Sequence, residues 1–263
     1  MVVLSRTVRF SINPGDPGSV VLSGPNGYAG VPSAHGLARH YELVVRCRGV
    51  VDAQTGYFMD IKAIDRAVRA SAVTAIARAC ADDAQADPAR LLHAMVSSID
   101  GEVGGRLASV RWRVTPYYSV EVDMRDQSVS VVRQKFEFAA AHRLHAPDLT
   151  PEQNRAMFGK CNLPNAHGHN YIVEPAVVVK AGSKFSLGEL ERVTNQHVIE
   201  KLDHLHLNKD VDEFRDGSGV NPSVENIARV CYQWLTPHVK AMGAELREVT
   251  VWETEKTCAT FPG

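Results

Sequence analysis

Tyr41–Val51, YELVVRCRGVV, is rich in β-branched residues and alternates apolar with polar positions, which reads as a β-strand. A turn signal follows at Asp52–Gly56, and Tyr57–Ile61 reads as a second strand. The period then changes. Ile64, Ala67, Val68, Ala72, Ala75, Ile76 and Ala79 fall at helical spacing within Ile64–Ala81. A second helix is expected over Pro88–Ile99, with Pro88 suited to the first turn, where an N–H has no intrahelical partner. Val110–Val114 and Tyr118–Val122 read as strands around a turn at Thr115–Pro116.

The same order recurs further on. Lys135–Ala140 and Asn170–Lys180 read as strands separated by a long insertion. Gly188–Leu202 is helical, and Pro222–Asn226 opens another helix running to about Val239. Glu248–Glu253 is a strand, and the final residues make a short one. Setting Tyr41 on Tyr171 and Thr115 on Thr254 aligns the halves with modest gaps. Two strand-strand-helix-helix-strand-strand copies predict an α+β protein, each copy a four-stranded antiparallel sheet with two helices on one face. Polar turn residues Arg125–Ser128 put the join near Met124–Val131, giving units 1–128 and 129–263.

Bulk properties remove several classes of function. A net charge of −1 offers no basic surface field for nucleic acid. No apolar stretch approaches the length of a membrane span, and Met1–Arg9 lacks the apolar run of a secretory signal. Five cysteines form an odd set without a CxxC pair, so reduced thiols and a cytoplasmic location are expected.

Chemistry concentrates in the second half, where seven of the eleven histidines lie between His142 and His206. On an extended strand, residues i and i+2 face the same way, so His167 and His169 can reach one ion. His142, at the end of the strand from Lys135, can add a third nitrogen. Three imidazoles leave one tetrahedral position open, the pattern of a catalytic zinc site. Cys161 sits in a polar loop beside Lys160, where a lowered thiol pKa is expected. It can equally be a fourth ligand, which would close the site. Asp203–His204 can be a helix C-cap or, through a turn, a hydrogen-bonded pair. Glu253, at the end of an apolar strand, is either a solvated carboxylate or one presented to a flat nitrogen heterocycle.

Phe138–Leu144 (FAAAHRL), Phe158–Asn162 (FGKCN), His167–Tyr171 (HGHNY), Leu202–Asn208 (LDHLHLN), Asn221–Asn226 (NPSVEN) and Val251–Thr254 (VWET) together resemble the 6-pyruvoyl-tetrahydropterin synthase family, which includes 6-carboxy-tetrahydropterin synthase. The resemblance spans about residues 133–263. It implies tandem tunnelling-fold units and a homo-oligomer whose sheets close a barrel. It also implies a zinc site at His142, His167 and His169, with Cys161 as proton-abstracting base and Asp203 with His204 as a second proton-transfer group. Glu253 would anchor the pterin, and Glu225 and Lys160 would contact the substrate, as would Arg143 through phosphate. The implied substrate is 7,8-dihydroneopterin triphosphate, with no nucleic-acid or membrane partner.

Five residues between Cys161 and His167 resemble the 6-pyruvoyl form. The alternatives are the 6-carboxy product, aldolase cleavage of dihydroneopterin, and a non-catalytic pterin-binding subunit. In the repeat alignment, Leu37 and Arg39 stand at His167 and His169, Val114 stands at Glu253, and nothing matches Leu202–Asp203–His204. The first half is therefore expected to lack the zinc ligands. Ser186 stands where the family usually has an aspartate, which the first half keeps as Asp60.

Overall fold

Strand β1 (Val2–Ile12) opens the chain, although the sequence reading passes over it. Its Val8, Phe10 and Ile12 are buried on alternate positions, but Ser11 is buried too, and the first residues are exposed, which blurs the alternation. The computed structural model describes residues 1–15, 21–83 and 85–263. They form two compact units: Met1–Val132 with Lys180–Ser183, and Arg133–Val179 with Lys184–Gly263. The chain passes from the first to the second within β5 (Asp126–Gln134).

In the first unit β1 pairs antiparallel with β2 (Arg39–Gly49), β2 with β3 (Leu107–Arg113), and β3 with β4 (Tyr118–Asp123). Tyr41, Leu43, Val45 and Cys47 of β2 are buried in strict alternation. They pack under α1 (Ile61–Val68), a π turn (Arg69–Val73), α2 (Thr74–Asp82) and α3 (Pro88–Glu102). Ile64, Val68, Ala72, Ile76, Leu92, Val96 and Ile99 supply the helical side of this core. The opposite face of the sheet carries ion pairs, with Glu42 between Arg9 and Arg113, and Glu121 between Arg46 and Arg111.

Tyr57–Ile61 is not the strand its composition predicts. Asp52 caps a tight turn, accepting from Gln54 and Thr55 backbone N–H groups, and Asp52 N–H donates to the Tyr57 carbonyl. The chain is thereby sent across β2 rather than beside it. The Phe58 ring fills the space where a Gly49 side chain would stand; a Cβ there would lie 1.9 Å from Phe58 Cε2. Asp60 then caps α1 through the Lys62 N–H. The polar turn before β5 is also shorter than expected, only Met124–Arg125, because Asp126–Ser128 already belong to the strand.

The second unit has antiparallel strands in the order β6 (Phe136–His142), β7 (His167–Lys180), β9 (Glu245–Thr254) and β10 (Thr257–Phe261). A two-residue strand, β8 (Leu205–His206), adds to β6 in parallel, so the sheet is mixed rather than wholly antiparallel. The insertion between β6 and β7 holds α4 (Pro151–Phe158), closed by a Thr150–Gln153 capping box. The long helical stretch is α5 (Leu187–Thr194), a π turn (Asn195–Ile199) and α6 (Glu200–Leu202). After the short α7 (Leu207–Asp210), α8 (Val224–Ala241) packs on β9 and β10. Ser186, in the place of the aspartate, is the N-cap of α5, its hydroxyl accepting from the Glu189 N–H. Ser and Asp serve that position about equally.

Phe138, Ala140 and His142 lie on the buried face of β6, as do Tyr171 and Val173 on β7. His142 thus ends a core row. Among the described residues no helix is long and apolar enough to cross a membrane.

Candidate metal centre and active site

The β6–β7 register pairs His142 with His167 and Ala140 with His169, which sets three imidazoles on one face at the end of the sheet. His142 Nε2 lies 3.1 Å from His167 Nε2. Glu253 arrives from β9, one residue beyond the Ile172–Trp252 pair; its Oε1 lies 3.3 Å from His142 Nε2 and 3.4 Å from His169 Nε2. One donor atom from each of His142, His167, His169 and Glu253 falls within 4.8 Å of all the others.

The donor chemistry fits a divalent metal. His142 Nδ1–H donates to the Pro222 carbonyl at 2.7 Å, which leaves the Nε2 lone pair facing the group. Burial pushes the His142 pKa down to about 4; the Pro222 bond opposes this, and His167, His169 and His206 add to it. Burial also lowers His167. Neutral imidazoles are the form that binds metal. His169 Nε2 is buried with no hydrogen-bond partner, the condition of an atom whose partner is an ion.

Beyond His142, four consecutive residues are held by four asparagine amides. Asn208 brackets Arg143, accepting from its N–H at 2.8 Å and donating to its carbonyl at 3.0 Å. Asn162 donates to the Leu144 carbonyl, Asn221 accepts from the His145 N–H, and Asn154 both accepts from and donates to Ala146. Asn154, Asn162 and Asn208 are buried. A segment without regular structure is thereby made stiff next to a metal-ligand candidate.

Cys161 sits in a 3₁₀ turn (Gly159–Asn162), half-buried, its carbonyl accepting from the Leu144 N–H at 2.8 Å. It lies outside the four-donor group. Its thiol pKa is raised, first by burial and then by the Glu253 carboxylate. That is opposite to the lowering expected from Lys160, because the nearest strong field is negative. Asp203 and His204 form a direct pair through turn geometry: His204 has φ +57° and its Nδ1 is 2.8 Å from Asp203 Oδ2. Both residues hang on β6, since Asp203 Oδ1 accepts from the Ala139 N–H and the His204 N–H donates to the Ala139 carbonyl. Hydrogen bonds from Ala139 and His204 lower the Asp203 pKa.

A cleft of about 640 Å³ is lined by Ala139–Ala141, Gly168, His169, His204 and His206 among others. It brings the Asp203–His204 pair and one ligand candidate to a shared space. Lys160 instead lines a second cleft with Arg143, His145 and Arg155. Glu225 is exposed in the first turn of α8, where a carboxylate complements the helix dipole, and lines neither cleft.

Sequence reading missed two groups at the centre. The Tyr171 hydroxyl is buried without a partner, and its ring meets those of His142 and His169 edge-on. His206 lines the first cleft, its backbone N–H held by Asp210 and its Nδ1 buried without a partner. His206 was visible in LDHLHLN; Tyr171 was hidden as an ordinary apolar strand position.

Fold and site define an α+β protein with a candidate three-histidine, one-carboxylate metal centre beside a thiol and an Asp–His pair. The chain belongs to the 6-pyruvoyl tetrahydropterin synthase family, whose family model matches residues 131–263. The 6-pyruvoyl tetrahydrobiopterin synthase of Drosophila melanogaster is 34% identical over 145 residues, covering 53% of this chain and 83% of the fly protein. The Homo sapiens protein of that name is 33% identical over 136 residues, covering 50% of this chain and 90% of its own. A solved structure of the Caenorhabditis elegans synthase superposes with a TM-score of 0.47 at 31% identity, covering 51% of this chain and 96% of that one.

Proposed function

We propose that this chain is a zinc-dependent lyase that converts 7,8-dihydroneopterin triphosphate to 6-pyruvoyl-tetrahydropterin with loss of triphosphate. The observation that carries the reading is the convergence of His142, His167, His169 and Glu253 within 4.8 Å, next to an Asp–His pair. The names of the fly and human relatives support it. Zinc held by the three histidines would supply Lewis-acid polarisation of the substrate side-chain oxygens.

The chain's own groups do the rest. Cys161, as thiolate, takes the proton from the activated side-chain carbon, and the Asp203–His204 pair exchanges a proton at a second atom as the triphosphate departs. Asp203 fixes the His204 ring through Nδ1, leaving Nε2 to serve the substrate. Glu253 accepts N–H bonds from the pterin ring. Lys160 and Arg143, with His145 and Arg155, offer a cleft of about 520 Å³ suited to phosphate. Glu225 enters as a substrate contact from the family motif alone.

The test is incubation of zinc-loaded protein with dihydroneopterin triphosphate, reading triphosphate release and product mass. A 6-pyruvoyl mass supports the reading. A 6-carboxy mass moves the chain to the sister reaction, and no release from fully loaded protein sinks the lyase assignment.

We read residues 1–128 as a tunnelling-fold copy that has lost the metal ligands, and 129–263 as the catalytic copy. Phe10 pairs with Tyr41 as Phe138 pairs with Tyr171. Register shifts fall at Arg46/Cys47 and Ala176/Val177, six residues after those tyrosines in each. Each helical run is capped at an equivalent place, and its π turn starts nine residues later, Arg69 after Asp60 and Asn195 after Ser186. We also read the protein as a cytoplasmic homo-oligomer closing a barrel, which light scattering on purified protein tests.

A further inference from the structure

The fourth corner of the metal group is occupied by a residue to which the family motif gives a different task. Metal–nitrogen and metal–oxygen bonds of about 2.0–2.2 Å give a tetrahedron with edges of about 3.3–3.5 Å. Three measured edges are 3.1 Å (His142 Nε2 to His167 Nε2), 3.3 Å (His142 Nε2 to Glu253 Oε1) and 3.4 Å (His169 Nε2 to Glu253 Oε1). Glu253 therefore stands at ligand distance from two imidazoles, not turned outward as a carboxylate waiting for a ring would be. Its placement follows from the backbone: it comes one residue beyond Trp252, which pairs with Ile172, on the sheet that carries His167 and His169. Among the described residues it makes no hydrogen bond, and the two imidazole nitrogens are its polar contacts.

We infer that Glu253 is a fourth, exchangeable ligand of the metal, bound in the resting protein and released when a pterin ring takes its carboxylate. The inference rests on the reading of this cleft as a pterin site. Three histidines and a carboxylate make a closed tetrahedron, whereas polarisation of a substrate oxygen needs an open position. One carboxylate serving the ion and then the ring ties the two events together. Only a molecule presenting paired N–H donors to Glu253 opens the position beside its own side chain. A sugar or a free polyphosphate, lacking those donors, meets a closed site. The carboxylate thus acts as a gate for ring recognition as well as an anchor.

The experiment uses full-length native protein, Glu253→Gln and Glu253→Ala. Each is loaded with Co²⁺ and its visible absorption recorded, and zinc affinity is measured by chelator competition. Unphosphorylated 7,8-dihydroneopterin is then added. Circular dichroism checks the fold, and the isosteric Gln variant guards against collapse of the Ala one. The expected result is zinc affinity weaker by about 10–100-fold in Glu253→Ala. The Co²⁺ bands should also differ between native and both variants, with a pterin-induced band shift in the native protein alone. Equal zinc affinity and identical Co²⁺ spectra in all three proteins overturn the inference. Glu253-dependent bands that dihydroneopterin leaves untouched overturn the exchange. Triphosphate release by native protein with Glu253-independent spectra would sink this inference and spare the lyase assignment. Glu253-dependent spectra without release would do the reverse.

Discussion

Cys161 is the residue whose environment departs most from what its neighbours in sequence suggest. Lys160 is adjacent along the chain but lines a different cleft, while burial and the Glu253 carboxylate hold the thiol pKa above its ordinary value. The reactive form is the thiolate, so the direction of the pH effect is fixed: Cys161 reactivity rises as pH rises through that elevated value. In metal-free protein, the alkylation rate of the Cys161 peptide, followed by mass spectrometry against pH, should show a midpoint above that of exposed Cys258. Glu253→Gln removes one of the two raising influences and should move the midpoint down; an unmoved midpoint would mean that burial alone sets it. Cys161→Ala is expected to abolish turnover while retaining full metal content, since the thiol is outside the donor group. A one-dimensional reading finds Cys161 easily, because it sits among polar residues. It misjudges the field, because the decisive charge lies 92 positions away in sequence, on another strand.

At the level of elements, the site depends on a stretch with no regular structure. Arg143–Ala146 follows His142 and is fixed by four amide side chains from four places in the chain. Asn208→Ala would leave the Arg143 N–H and carbonyl without their partners in a buried setting, costing about 1–3 kcal/mol. The expected outcome is a lower denaturation midpoint together with zinc binding weakened by about 10-fold, since outer-shell supports of a ligand carry costs of that size. Retention of full zinc affinity would mean that Pro222 alone orients His142. The strands and helices of the second unit were legible because each has a clean period and a cap. The asparagine framework was not, because Asn in a loop reads as a turn former and nothing in the spacing says that four of them converge. Strand β1 was lost for a related reason, its exposed start masking the buried alternation further on.

For the molecule as a whole, all donors of the candidate centre come from the second unit, and the equivalent positions of the first carry Leu37, Arg39 and Val114. Elemental analysis should therefore find one zinc per chain, and His167→Ala should remove all of it. Two zinc ions per chain, or half the content surviving His167→Ala, would overturn the reading of the first unit as silent. The sequence was most readable where it is chemically unusual, at the histidines and the Asp–His pair. It was least readable where geometry alone decides, as at Tyr57–Ile61, which has a strand's composition but no strand beside it.

The three ligand-bearing strands of the second sheet, β6, β7 and β9, are neighbours that otherwise meet only through backbone bonds and core packing. An ion joining their ends is a rivet. Whatever binds it tightens the same strands that shape the cleft, so filling the centre and stiffening the scaffold are a single thermodynamic event. A cell poor in that metal would lose sturdiness along with chemistry.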